Sequence, residues 1–462
     1  MKSSAIYSSI PQLLSLHGLI VVLGLLIYVL TTHVMQQRRG STAAIAWVMA
    51  IALIPYLGLP LYLIFGTRKL LHPKHQVVNP ISDVHSGDNW SRQLASSMDQ
   101  PPVVSYQKLH IHANGSQALQ ALWDVIENAK SELVLCTFII GRDPVGNALM
   151  QRLIEKANAG VRVRLLLDGV GRLMGGRPDL RSIKAAGVEV VLFAPIMHVS
   201  SNSRANLRNH RKMVVADGEH LWCGGRNFAA EYFEGDHKIK PWKDISFDLL
   251  GALAAQAHEL FERDWAFAAG SPFPKIKHAV VDTNAPFAQI IASGPDQADD
   301  TVHDLLVTAC FKAQDRIMAL TPYFVPSGPL LMALTLAARR NVKVELILPK
   351  KSNHPLADLA RHRALRALVE AGGQVWQVPY MLHAKLFMVD ENLALCGSAN
   401  LDSRSLFLNY ELMVAFYASD DIRRFEYIGD AHRATADQYQ VKRPGLLRDF
   451  AEGLVLWLGF QL

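Results

Sequence analysis

One stretch of this chain occurs twice, and that duplication sets what the chain can fold into. The first copy reads His210-Arg211-Lys212-Met213-Val214-Val215-Ala216-Asp217 and the second His383-Ala384-Lys385-Leu386-Phe387-Met388-Val389-Asp390, each an H-x-K-x4-D octet. The histidines are 383 − 210 = 173 positions apart, so each copy has the size of a domain. The same order of apolar runs precedes both. Strand-length runs at Glu132 to Ile140, Val161 to Leu167 and Val188 to Phe193 flank a helical stretch from Asn147 to Ala159. The second copy has Arg316 to Leu320, Val342 to Leu348 and Gln374 to Val378, with a helical stretch from Leu330 to Arg340. A short strand follows each octet, His220 to Cys223 and Ala394 to Cys396. This alternation predicts an α/β fold. The expected halves are residues 106–270 and 271–450, two similar α/β/α units with mixed sheets packed around one shared active site.

The first 70 residues have another character. Leu13 to Thr31 is apolar apart from Ser15, His17 and Thr31, and Ala43 to Phe65 carries no charge. Each is long enough to cross about 30 Å of hydrocarbon. They are expected to form a two-helix transmembrane hairpin joined by Gln36-Gln37-Arg38-Arg39-Gly40-Ser41, with the second helix bent at Pro55 and Pro60. A cleaved signal peptide is the rival, but no small-x-small site follows the first stretch. The hairpin loop has Arg38 and Arg39, the outer ends Lys2, Arg68, Lys69 and Lys74, which puts the bulk of the protein in the cytoplasm. Residues 71–105 read as a linker, and 451–462 as a hydrophobic tail that either dips into the membrane interface or packs on the catalytic body. The net charge of +6 suits an anionic bilayer or nucleic acid without distinguishing them.

On a strand, the His and Lys of each octet point to one face. The octet acids, Asp217 and Asp390, fall at the far strand end on the other face and are expected to hold the turn rather than move protons. Downstream come Gly224-Gly225-Arg226-Asn227 and Gly397-Ser398-Ala399-Asn400. Small residues there allow close backbone approach, and Asn227, Asn400 and Ser398 are candidate phosphate ligands. Two imidazoles, two ammonium groups and two amides suit attack on a phosphodiester. One neutral histidine attacks phosphorus, and the other protonates the leaving alcoholate. The lysines and asparagines neutralise the equatorial oxygens. Each histidine needs an orienting acid on its other ring nitrogen, and the candidates within the respective copies are Asp244 for His210 and Glu411 for His383.

This pair of octets resembles the phospholipase D superfamily. More closely, the chain is similar to bacterial cardiolipin synthases of that superfamily, through Pro55-Tyr56-Leu57-Gly58-Leu59-Pro60-Leu61-Tyr62, Phe65-Gly66, Thr321-Pro322-Tyr323-Phe324-Val325-Pro326-Ser327 and Asn400-Leu401-Asp402-Ser403-Arg404-Ser405. The resemblance implies conversion of two phosphatidylglycerols to cardiolipin and glycerol, no cofactor, His210 as nucleophile, other anionic phospholipids and the membrane as partners, and a multi-pass position in the bacterial inner membrane. It departs at Gly225, where the family commonly has Ser, so one hydroxyl is missing from the expected phosphate cradle. Arg226 either compensates or faces solvent.

Other readings remain open on the residues alone: a phosphodiesterase acting on nucleic acid or hydrolysing lipid, and a non-catalytic scaffold. Intact His and Lys in both copies argue against the scaffold. No nucleic acid is expected, because the spans put the site at a bilayer and no aromatic-basic stacking surface is evident. No metal is expected either. His110 and His112 lack a third ligand at plausible spacing and read as a strand end, and the four cysteines read as small buried thiols. Gly169-Val170-Gly171-Arg172 lacks the third glycine of a dinucleotide motif and reads as a loop. Arg204 and Arg208 either attract lipid phosphate or are solvated.

Overall fold

The computed structural model describes residues 3–34, 41–66, 68–70, 90–195, 206–236, 239–273, 286–442 and 444–458. They fall into an N-terminal unit and a larger unit that holds everything from Trp90 onward except Asn206 and Leu207.

In the N-terminal unit the first apolar stretch is one helix, Ser3–Val34, and among the described residues it alone is long and apolar enough to cross a membrane. The second stretch is not a single span. It forms two helices, Ser41–Leu53 and Pro55–Phe65, broken at Ile54. Pro55 has no N–H to continue the ladder, and Pro60 lies inside the second piece. The pieces are 13 and 11 residues long, about 20 and 16 Å at 1.5 Å per residue, each short of a bilayer core. They fold back on each other closely enough that a Cβ on Gly58 would lie 2.4 Å from the Ala50 carbonyl oxygen. Tyr28, Ile51 and Tyr62 form the buried centre of the three helices. The two-span hairpin is thus corrected to one long helix followed by a doubled-back helical pair.

The larger unit contains the duplication. Its seven-stranded sheet runs, in spatial order, Gln107–His112, Ser246–Leu250, His220–Gly224, Met213–Ala216, Glu132–Thr137, Arg162–Asp168 and Glu189–Phe193. The second sheet repeats this order as Phe287–Ser293, Glu411–Phe416, Leu393–Gly397, Leu386–Val389, Arg316–Leu320, Lys343–Pro349 and Gln374–Val378. Two short edge strands, Val104–Ser105 and Asp437–Gln438, extend it to nine. In both sheets the three consecutive β-α-β strands are parallel and the remaining strands antiparallel, so both are mixed. Residues 90–105, within the stretch read as linker, include the helix Trp90–Ser97, whose Ala95 joins the second half's core, and the strand Val104–Ser105. The rest of that linker, residues 71–89, lies outside the described residues.

Helices cover the sheets through apolar faces. Gly115–Asn128 and Pro144–Asn158 bury Leu122, Ile126, Leu149 and Leu153 in the first half's core, while Thr301–Lys312 and Gly328–Arg339 bury Leu305, Ala309, Ala333 and Ala337 in the second's. The halves meet through Phe247 and Phe416, whose rings pack edge to face at 5.2 Å. The tail is part of a helix, Leu446–Leu458, whose Val455 and Leu456 pack near Ala357 and Ala360 on the catalytic body. Residues 459–462 lie outside the described residues.

Candidate active site

The octet histidines do not lie within their strands. These begin only at Met213 and Leu386, three residues after each histidine. The reason is that each histidine's backbone pairs with the opposite half. His210 N–H donates to the Tyr410 carbonyl at 2.9 Å and Tyr410 N–H to Arg208 at 2.9 Å. Reciprocally, His383 N–H donates to the Lys243 carbonyl at 2.6 Å and Lys243 N–H to Met381 at 2.8 Å.

The residue after Tyr410 is Glu411, and the residue after Lys243 is Asp244. The crossed backbone pairing therefore exchanges the acids. His210 Nδ1 lies 3.0 Å from both Glu411 oxygens, and His383 Nδ1 lies 2.6 Å from Asp244 Oδ2. The within-copy pairing expected from sequence is incorrect: each histidine is oriented by the acid of the other half. Burial alone would raise Asp244, but Lys385 and His383 hold it below the usual carboxylate range; His210 and Lys212 do the same for Glu411.

The Gly225–Ser398 difference follows from the lengths of these acids. Ser398 Oγ donates to Glu411 Oε2 at 2.5 Å and accepts from Leu412 N–H at 2.9 Å, so its hydroxyl braces the acid. Ser405 Oγ braces the other Glu411 oxygen at 2.8 Å. Asp244 is one methylene shorter, and a Cβ on Gly225 would lie 2.4 Å from its Oδ1. Glycine thus makes room for the carboxylate. Arg226 neither replaces a hydroxyl nor faces solvent. It is fully buried and donates to the carbonyls of Tyr232, His112, Ala113 and Asp244 and to Ser246 Oγ.

Lys212 and Lys385 are both buried. Lys212 Nζ donates to the His210 carbonyl at 2.6 Å, and Lys385 Nζ sits 2.7 and 3.0 Å from the two ring nitrogens of His383. Burial lowers the lysine pKa values to about 7 for Lys212 and about 8 for Lys385, against the pull of Glu411 and Asp244. Burial, helped by the lysines, lowers His210 to about 4 and His383 to about 3, so both rings are neutral in the empty site. Asn227 Oδ1 accepts from Ile139 N–H at 3.3 Å, whereas Asn400 Oδ1 is buried with no partner.

Asp217 and Asp390 stand apart from these groups. Both have positive φ, 54° and 48°. Asp217 accepts from the N–H groups of Lys130, Ser131 and Glu132 at 2.8 to 2.9 Å. Asp390 accepts from Gln314, Asp315 and Arg316 at 2.8 to 3.0 Å. They pin the turn to the start of the neighbouring strand.

Three contributions were not visible in the sequence. Phe138 packs edge-on to His210 at 5.4 Å, while Tyr232 and Trp242 wall His383 at 5.1 and 5.5 Å. Arg211, buried between the octet His and Lys, donates to the Glu411 carbonyl at 3.1 Å and to the Ser293 carbonyl at 3.3 Å, and pairs with Asp264. Aromatics next to an acid, as in Trp242-Lys243-Asp244, were the one available signal.

His110 and His112 do have companions: together with His220 they surround Asp248, at 3.3, 2.7 and 3.1 Å. Asp248 is the middle residue of its strand, level with Trp222, and His112 is level with Ser246, the partner of Gly224. Among the described residues, Glu132, His258 and Glu262 cluster closely enough for a metal, but the Arg164 guanidinium already joins both glutamates. All four cysteines are free and buried. Gly169–Met174 is a short helix capped by Asp168, not a loop. Arg204 lies outside the described residues.

The family model described as "Cardiolipin synthase, PLD-like domain" matches residues 122–265 and 306–429, the two blocks that contain the octets and both exchanged acids. The chain belongs to the cardiolipin synthase, phospholipase D-like family. A second model, "Phospholipase_D-nuclease N-terminal", matches residues 20–66. The chain is 30% identical to cardiolipin synthase A of Pseudomonas aeruginosa (strain LESB58) over 417 residues, 86% of this chain and 85% of that protein. It is 31% identical to cardiolipin synthase 1 of Bacillus anthracis over 425 residues, 84% of this chain and 83% of that protein. The crystal structure of phosphatidylserine synthase from Haemophilus influenzae Rd KW20 shares the fold with a TM-score of 0.64 at 15% identity, covering 80% of this chain and 97% of that one. Membership of the cardiolipin synthase family fits a site in which two complete half-sites face each other.

Proposed function

We propose that this protein is a cardiolipin synthase that transfers a phosphatidyl group from one phosphatidylglycerol to another, releasing glycerol. The observation that carries the reading is the exchanged pair of His–acid contacts flanked by two buried lysines. His210 Nε2 attacks phosphorus while its Nδ1 is held by Glu411. The P–O bond to glycerol breaks, and the glycerol oxygen takes a proton from His383. The two rings are neutral in the empty site, so His383 gains that proton when the anionic phosphodiester enters and raises its pKa. The hydroxyl of the second phosphatidylglycerol then returns a proton to His383 and attacks phosphohistidine, which regenerates His210. Lys212 and Lys385 neutralise the equatorial oxygens, with Asn227 and Asn400 as further donors. Asp217 and Asp390 act only through the turns they hold. No cofactor is needed, because one phosphodiester replaces another.

The reading includes anionic phospholipids as partners and a bacterial inner membrane location. We place the catalytic unit in the cytoplasm. If Ser3–Val34 crosses once and the pair Ser41–Phe65 re-enters, Lys2 lies alone on one side, with Arg38, Arg39, Arg68, Lys69 and Lys74 on the other. That asymmetry is steeper than a two-span hairpin provides.

The test is to supply purified full-length protein with labelled phosphatidylglycerol. Cardiolipin and free glycerol are expected, and both are lost in His210→Ala and in His383→Ala. Phosphatidic acid as the sole product overturns the transferase reading, and activity retained in either variant overturns the mechanism.

A further inference from the structure

Arg208 is 2% exposed, yet its Nε and Nη2 have no hydrogen-bond partner among the described residues. Nη1 donates to the Ala194 carbonyl at 2.9 Å and, at 3.4 Å, to Asp168 Oδ1, with which it forms an ion pair. Asp168 is already committed to three backbone N–H groups, those of Val170, Gly171 and Asn209, at 2.8 to 3.0 Å. One edge of a buried guanidinium is therefore bare, an arrangement that costs free energy unless an anion fills it in the working state.

The neighbouring residues show which way Arg208 faces. Asn209 Nδ2 donates to Asp264 at 2.9 Å, and Arg211 pairs with the same carboxylate. Alternation then puts Arg208, His210 and Lys212 on the opposite face, that of the reacting groups. The matching position in the second half, 208 + 173 = 381, is Met381. This cation has no symmetry mate, so it serves only one of two lipid positions.

A second arginine comes near from the other half. Burial lowers the Arg404 guanidinium from its ordinary pKa, Asp402 opposes the shift, and the charge on Arg208 adds to it. The acids facing this pair are Asp168, Asp402 and Glu411. Glu411 is hydrogen-bonded to His210, and burial pushes Asp402 up to about 6, which weakens its hold on the pair.

We propose that the bare edge of Arg208 is an anion subsite for the second phosphate, the one present only when two phosphatidylglycerols occupy the site together. This rests on the transfer reading above and adds to it the group that recognises the partner lipid as anionic. A neutral alcohol has no phosphate to offer there.

The experiment uses the full chain and compares cardiolipin formation with exchange of the phosphatidylglycerol headgroup for labelled free glycerol. In Arg208→Gln the ratio of the two rates is expected to fall by about tenfold or more, the scale of a lost charge-assisted bidentate contact. Arg208→Lys is expected to restore part of it. An unchanged ratio, with both rates lowered together or neither lowered, overturns the proposal. A second measurement does not depend on turnover: calorimetric titration with inorganic phosphate is expected to give two equivalents for the parent chain and one for Arg208→Gln. One equivalent for the parent, or two for the variant, overturns the subsite even if the chain makes no cardiolipin.

Discussion

Replacing Asp244 by Asn keeps the size of the side chain and removes its charge from the 2.6 Å contact with His383 Nδ1. Both partners are buried, so water cannot compensate. When His383 carries a proton, the lost attraction between unit charges about 4 Å apart at an effective dielectric of about 20 is about 4 kcal/mol. That corresponds to about a thousandfold in rate. Turnover of the single variant checks the magnitude, and a pair of double-mutant cycles on unfolding free energy, measurable where the histidine variants are inactive, reports which groups act together. Asp244→Asn is expected to couple to His383→Ala by about 0.5 kcal/mol or more and to be close to additive with His210→Ala. Glu411→Gln should show the reverse pattern. Coupling of Asp244 to His210, as a within-copy pairing demands, refutes the exchanged geometry.

Three further outcomes follow from the same site. The lowered lysines lose their protons as pH rises through about 7 for Lys212 and about 8 for Lys385, so kcat/KM should fall across that window. A bound phosphodiester favours the charged form, so kcat should fall at higher pH than kcat/KM; a kcat/KM flat to pH 9.5, on the order of two units beyond the window, refutes this. Gly225→Ser should abolish most activity, because the new Cβ meets Asp244 at 2.4 Å, while Ser398→Ala, which removes one brace from Glu411, should cost about tenfold; equal effects in turnover assays refute the account. Reporters fused to the two chain ends should lie on opposite sides of the membrane, and both on one side would restore a two-span hairpin.

Much of the fold was legible because it depends on local patterns that the chain repeats. The parallel β-α-β strands of both halves fall within two or three residues of their predicted ends, since buried apolar runs between helices mark themselves. The octet strands began later than expected because nothing in His210 to Lys212 signals that its backbone partner lies two hundred residues away. For the same reason the acids Asp244 and Glu411 could be named but not paired: sequence order favours the same copy, and only the crossed bridges at Tyr410 and Lys243 decide otherwise. The brace that Ser398 gives Glu411 was not legible, because a hydroxyl beside a glycine suits either an anion or a carboxylate. The second apolar stretch satisfied the length of a span, and the close approach of Gly58 to Ala50 is a tertiary contact with no sequence signature.

The crossed pairing also has a consequence in time. A chain is made from its amino terminus, and domains fold as units while synthesis proceeds. When the first half has emerged, His210 and Lys212 are present, but the acid that will orient His210 lies 201 residues further on. The half already made can bury its core yet cannot hold its imidazole for attack. A nascent protein therefore stays inert towards phospholipid until Glu411 has been added and the halves have closed.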